Sequence, residues 1–281
     1  MLRVAVPNKG SLSEPASRML REAGYRQRSH ARELVLQDPE NDTEFFFLRP
    51  RDIATYVGSG QLDVGITGRD LLLDSGAAAE EIMALGFGGS TFRFAARPGI
   101  AQSEKDFAGL RIATSYPGLV ARHLQNLGVA AEVTRLDGAV ETSVRLGVAD
   151  VIADVVETGS TLRQAGLELV GEPILRSEAV LVQRTGASTI PAVDQLERRL
   201  NGVIVASAYV IFDYDVRTSL LDAACKLTPG IESPTVSPLR DEEWVAVRAL
   251  VPRVDTNRVM DQLYDMGARG ILVTDIHACR L

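Results

Sequence analysis

The chain has 281 residues, 46% of them hydrophobic and 24% charged, and a formal net charge of -7. This composition fits a soluble globular protein of two or three domains and offers no basic patch of the kind that binds nucleic acid. No apolar run is long enough to span a membrane, and the two cysteines and three histidines fall in no metal-ligand spacing.

Met1 to Pro7 reads as a strand and lacks the longer apolar core of a signal peptide. A reducing, cytoplasmic compartment is therefore expected. Asn8-Lys9-Gly10 follows, and Ser13-Glu14-Pro15 opens a helix that runs to Gly24. Lys9 thus stands at the carboxyl end of a strand, where ligands gather in open α/β sheets. There it is either a phosphate clamp or a solvated lysine. Phe45 to Leu48 is a strand ending in Arg49-Pro50-Arg51-Asp52. Arg49 is the stronger candidate for gripping phosphate, because Arg51 and Asp52 also suit the start of a surface helix. Leu62 to Ile66 is a strand followed by Thr67-Gly68-Arg69-Asp70-Leu71. Asp70 and Leu71 either face a cleft and touch a base or ribose, or Asp70 simply caps the next helix.

Leu85 to Ala96 is a glycine-rich passage into an alternating strand, of the kind that crosses between lobes. The pattern then restarts as strand (Leu110–Thr114), loop with Tyr116, helix (Leu119–Leu127), strand (Ala131–Leu136), helix from Asp137, and strand up to Asp154. Such β-α-β-α-β order predicts a parallel sheet covered by helices. Tyr116 could stack on a nucleotide. Glu141 is either a first-turn helix acid or a group that holds ribose or magnesium. Ala179 to Val182 reads as a strand returning to the first lobe, Asp194 to Leu200 as a helix, and Gly202 as the start of a segment of different character. From about Ala206 the order is β-α-β-β-α-β, which is ferredoxin-like.

The stretch from Asp154 through Val155, Val156, Glu157, Thr158, Gly159, Ser160 and Thr161 to Leu162 organises the rest. A strand that ends in a small-residue loop and enters a helix aims several backbone N–H groups at one point, which suits a phosphate. The hydroxyls of Thr158, Ser160 and Thr161 add donors, and Gly159 permits close approach. Asp154 repels phosphate and is better suited to accept from sugar hydroxyls. The same residues also describe an ordinary strand-turn-helix. The stretch resembles the loop by which phosphoribosyltransferases hold phosphoribosyl pyrophosphate, although Ala153 stands where the commonest version carries a second acid.

Five phrases occur together and in order: Val6 to Gly10, Gly65 to Asp70, Arg135 to Glu141, Asp154 to Leu162, and Glu232 to Thr235. In combination they resemble the ATP phosphoribosyltransferase family, and the C-terminal module resembles its long, self-regulated form. The resemblance implies an α/β fold in which a two-lobed, periplasmic-binding-protein-like catalytic region precedes a ferredoxin-like regulatory domain. It implies lobe I over 1–90 and 179–205, lobe II over 91–178, and the regulatory domain over 206–281. The implied reaction joins ATP and phosphoribosyl pyrophosphate to give N1-(5-phosphoribosyl)-ATP and pyrophosphate, the first step of histidine biosynthesis. Magnesium carried on the pyrophosphate, inhibition by histidine and AMP, and dimers that assemble into hexamers are implied with it. Lys9, Arg49 and Asp154 would be catalytic. Asp70, Leu71, Tyr116, Glu141 and residues 157–162 would bind substrate, while Asp215, Ser233, Thr235 and Gly270 would hold histidine. Two other readings stand beside this one: a silent two-lobed ligand-binding regulator, and a phosphoribosyltransferase for another base.

Overall fold

The computed structural model describes residues 1–30, 32–156, 159–188, 190–276 and 279–280. The chain divides into two units, Met1–Arg21 with Tyr25–Asp194, and Glu22–Gly24 with Gln195–Leu281.

The first unit begins with β1 (Leu2–Pro7), α1 (Ser13–Glu22), β2 (Val35–Asp38), β3 (Thr43–Leu48), α2 (Pro50–Gly58), β4 (Val64–Gly68), α3 (Arg69–Ser75) and β5 (Ala79–Ala84). These strands, with β11 (Ala179–Arg184), form a six-stranded sheet in the order β2-β3-β1-β4-β11-β5. β1 runs parallel to both β3 and β4, and β11 runs antiparallel between β4 and β5. Val4, Ala5 and Val6 are fully buried, as expected of a central strand covered on both faces. α2 lays Ile53, Ala54 and Val57 on this sheet beside Val180 and Val182. The approach is close: a side chain at Gly65 would meet Ile53 Cγ2 at 2.5 Å, so β4 needs glycine there.

The chain then crosses to a second sheet made of β6 (Ser90–Ala96), β7 (Arg111–Thr114), β8 (Glu132–Arg135), β9 (Val151–Val156) and β10 (Glu168–Ser177). The order is β10-β6-β9-β7-β8. α4 (Pro117–Leu127), α5 (Val140–Arg145) and α6 (Ser160–Gln164) connect the strands β7 to β10. Side chains alternate across the sheet. Phe92, Phe94 and Phe107 pack with Ile112 and Val120 on one face, while Ala95, Ala113, Val140, Ile152 and Leu162 pack on the other. The two sheets joined by crossing strands are the two-lobed, binding-protein-like arrangement.

β5 and β2 lie outside the strands that the sequence predicts. β5 reads AEEIMA, and its acids are satisfied from afar. Glu81 pairs with Arg69 at 2.7 Å, and Glu80 accepts the N–H of Gly186 at 3.1 Å.

α7 (Pro191–Ala208) runs on through Gly202 without a break. The expectation of a new segment at Gly202 is thus corrected. Glycine serves close approach here, because a Cβ would collide with the Cys279 carbonyl. The second unit continues with β12 (Tyr209–Arg217), α8 (Leu221–Leu227), β13 (Thr235–Pro238), β14 (Trp244–Pro252), α9 (Thr256–Met266) and β15 (Arg269–Asp275). The sheet order β13-β14-β12-β15, antiparallel throughout, is ferredoxin-like. Val210, Phe212, Tyr214 and Val216 alternate inward against Val259 and Leu263. Among the described residues no helix is long and apolar enough to cross a membrane.

Candidate active site

Parallel strands point their carboxyl ends to one edge, and the candidate residues stand at such ends. Lys9 follows β1, Asp70 opens α3 after β4, Tyr116 follows β7 and Asp154 lies in β9. Lys9, Ser11, Leu12, Asp70, Leu71, Tyr116, Val155 and Ser177 line one cavity of about 180 Å³. A larger hollow of about 530 Å³ shares Ser90, Ser177 and Glu178 with it and adds Arg69, Thr91 and Arg176. The small cavity suits a ring.

Asp70 is buried, at 7% exposure. The Ser177 hydroxyl donates to its carboxylate at 2.8 Å and accepts the Asp70 backbone N–H at 3.0 Å. Gly68 makes room for it, since a Cβ there would collide with Asp70 Oδ1. Tyr116 packs edge-on against Phe92 with centroids 5.0 Å apart, and the Arg51 guanidinium stands 4.9 Å from its ring centre. Burial, and then the Asp70 charge beside it, push the Tyr116 phenol well above its ordinary range, so it remains a donor. Burial likewise raises the Asp154 carboxyl. The Val155 N–H, which donates to it at 2.8 Å, works against this. The charges of Glu141 and Asp70 reinforce it. Glu141 itself lies in the first turn of α5. Tyr116 and Asp154 are thus both raised at one site, and neighbouring perturbed groups of this kind are typical of functional sites.

Of the two arginines after β3, the sequence favours Arg49. Arg49 is exposed directly before α2, where it can meet a ligand. Arg51 is also placed at the site, but its guanidinium is bound to Asp74 at 2.7 Å.

After β9, Gly159 takes a φ of +68° at the start of α6, a conformation that suits glycine. Ser160 and Thr161 are exposed in that first turn. Leu162 turns its side chain into the core, leaving only its backbone for a ligand. Glu157 and Thr158 lie outside the described residues. Sequence reading missed Ser177 and Asp74 and ranked Arg51 below Arg49, because their roles arise only from pairings between distant segments. Among the described residues no group of three or more His, Cys, Asp or Glu is placed to hold a metal ion.

Residues 49–202 match the family described as HisG, ATP phosphoribosyltransferase. The chain belongs to the ATP phosphoribosyltransferase family. Residues 206–278 match that family's HisG C-terminal domain. The ATP phosphoribosyltransferase of Pseudarthrobacter chlorophenolicus is 65% identical over 100% of both chains. That of Streptomyces avermitilis is 63% identical, again over 100% of both. Among solved structures, a chain of the ATP phosphoribosyl transferase (HisG:HisZ) complex from Thermotoga maritima is 27% identical with a TM-score of 0.63. The match covers 73% of this chain and 98% of that one. With its C-terminal module this ATP phosphoribosyltransferase is of the long form, a transferase of histidine biosynthesis.

In that module, Asp215 and Gly270 come together: a Cβ on Gly270, at φ +58°, would lie 3.6 Å from Asp215 Oδ2. Thr235 is exposed on β13, and Ser233 is exposed just before it. β14 lies between β13 and the strand that carries Asp215.

Proposed function

We propose that this chain transfers the phosphoribosyl group of phosphoribosyl pyrophosphate to N1 of ATP, giving N1-(5-phosphoribosyl)-ATP and pyrophosphate. The observation that carries the reading is one cavity shared by Lys9, Asp70, Leu71 and Tyr116, with Asp154 and the Gly159–Thr161 turn at the end of β9. Family membership supports it.

The N1 lone pair forms a bond to C1 of the ribose, and the C1–O bond to pyrophosphate breaks, its electron pair leaving with the pyrophosphate. No triad is needed, because the nucleophile already has its lone pair. Rate comes from aligning the reactants and from stabilising charge on the leaving group. The Ser160 and Thr161 turn holds the 5-phosphate. Asp154 accepts from ribose hydroxyls and must be ionised to do so. Lys9 and Arg49 meet the pyrophosphate. Tyr116, Asp70 and Leu71 contact the adenosine part. Magnesium supplies charge neutralisation on pyrophosphate when bound.

Histidine inhibition belongs to the C-terminal module in this reading, with Asp215 beside Gly270 as its acidic end and Ser233 and Thr235 contributing from the edge. AMP competes at the nucleotide site, and the chain assembles from dimers to hexamers.

The test is formation of product, read from the ultraviolet absorbance of the altered adenine. The mixture contains both substrates, magnesium and pyrophosphatase, with and without histidine. Turnover suppressed by histidine supports both halves. Turnover indifferent to histidine overturns the regulatory half. No turnover in a folded sample that binds phosphoribosyl pyrophosphate overturns the acceptor assignment.

A further inference from the structure

One buried carboxylate outside the catalytic assignments joins the two lobes. Asp74, in the last turn of α3, has a side chain only 8% exposed. Its Oδ1 accepts the N–H of Gly118 at 2.9 Å and of Leu119 at 3.1 Å. Its Oδ2 accepts Arg51 Nη1 at 2.7 Å. Each oxygen therefore has a separate task.

The first task is to cap a helix of the other lobe. Tyr116 is the N-cap residue of α4 and makes no side-chain cap bond of its own, so the first-turn donors need another acceptor. Asp74 supplies it from 44 residues away in sequence. The fit demands glycine at 118, because a Cβ there would collide with the Asp74 carbonyl. The second task is to hold the Arg51 guanidinium over the Tyr116 ring. The ring is therefore held by Phe92, packed edge-on, and by Arg51 over its face, while its backbone is set by the start of the capped helix.

We infer that Asp74 is a positioning residue for the nucleotide wall, setting the place of the Tyr116 ring through Arg51 and the start of α4. The inference rests on the proposed reading in which Tyr116 contacts ATP. With the Arg51 side chain 33% exposed, the ion pair by itself contributes little stability. What this one does is define where an aromatic ring stands in the cleft.

The test uses the full chain and the variants Asp74→Asn and Arg51→Met. Asparagine keeps an oxygen for the two α4 donors but removes the charge that binds Arg51. Arg51→Met leaves the cap whole and removes the guanidinium. Both should raise KM for ATP about tenfold, as expected of a small misplacement of a binding group. KM for phosphoribosyl pyrophosphate should stay within about twofold, because the phosphate loop is untouched. The double variant should be no worse than the worse single one, since both act on one couple. A second readout needs no turnover. In protein labelled with 3-fluorotyrosine, the Tyr116 resonance is assigned by its loss in Tyr116→Phe, and it should move in both variants.

A Tyr116 resonance that stays in place in folded variants overturns the inference. So does a parallel rise in both KM values, or a resonance that moves while KM for ATP does not. If Asp74→Asn fails to fold, Arg51→Met carries the same comparison. If the parent chain turns over neither substrate, the proposed reaction falls, and the resonance alone then decides whether Asp74 places Tyr116.

Discussion

Replacing Ser177 with alanine removes one hydroxyl with two partners, the Asp70 carboxylate at 2.8 Å and the Asp70 N–H at 3.0 Å. Both residues are buried, Ser177 at 5% and Asp70 at 7% exposure. A hydrogen bond to a charged group contributes about 1.5–3 kcal/mol, and an orphaned buried partner costs about as much. The cavity beside both residues holds about 180 Å³, enough for a water to enter and re-satisfy the carboxylate. The expected loss is therefore about 1–2 kcal/mol, at the lower end of that range. The two units offer a clean assay. The single tryptophan, Trp244, lies in the second unit, so its fluorescence during urea unfolding follows that unit, while far-ultraviolet circular dichroism follows both. Ser177→Ala should move the dichroism transition of the first unit and leave the Trp244 transition in place. It should also weaken ATP binding, because Asp70 loses its fixed orientation. A stability change within about 0.5 kcal/mol, as for an ordinary surface substitution, with unchanged ATP binding, would refute the reasoning.

Three further outcomes are expected. Burial holds the Asp154 carboxyl above its ordinary 3.8, so in the window above pH 3.8 the folded chain keeps a proton that the unfolded chain has lost. Stability should fall as pH rises through that window. Asp154→Asn should remove this slope in urea midpoints measured against pH, while turnover drops by about 10²-fold or more. Gly68→Ala puts a methyl group against Asp70 Oδ1. It should cost about 1–3 kcal/mol by overpacking and raise KM for ATP, both read beside the parent. Tyr214→Phe breaks a buried bond of 2.7 Å to the Thr228 hydroxyl. It should lower the Trp244-detected transition by about 1 kcal/mol and leave turnover without histidine unchanged.

The central strands were legible because their burial is written in composition. Val4-Ala5-Val6 and Val151-Ile152-Ala153 are apolar on both faces, and the turns after them carry small and polar residues that suit ligands. The ferredoxin-like module was legible from order and alternation, since β12 places Val210, Phe212, Tyr214 and Val216 inward at every second position. Edge strands were not. β5 carries two glutamates whose partners come from α3 and the turn after β11, so local pattern argues against a strand that tertiary pairing supplies. Gly202 misled because a glycine that admits a neighbouring carbonyl looks the same in sequence as one that ends a helix. The positions of Lys9, Asp70 and Tyr116 followed from strand ends. Asp74, Arg51 and Ser177 did not, because their partners lie 23, 44 and 107 residues away, and no local spacing encodes such pairings.

The strand order of the first sheet also dictates when that sheet can be finished. β5 touches the rest of its sheet through β11, which lies between it and β4. The chain makes β5 early and β11 only after the whole second lobe has been synthesised. Until then β4 and β5 each present an unpaired edge, the condition under which strands recruit wrong partners. Completion of the first lobe therefore waits on the second, and the long-range closure that seats β11 is of the kind that slows folding. A ribosome-bound chain ending before Ala179 would lack the strand that joins β5 to β4. The same return brings Ser177 to Asp70, so the first sheet and the adenosine end of the site are completed in a single step.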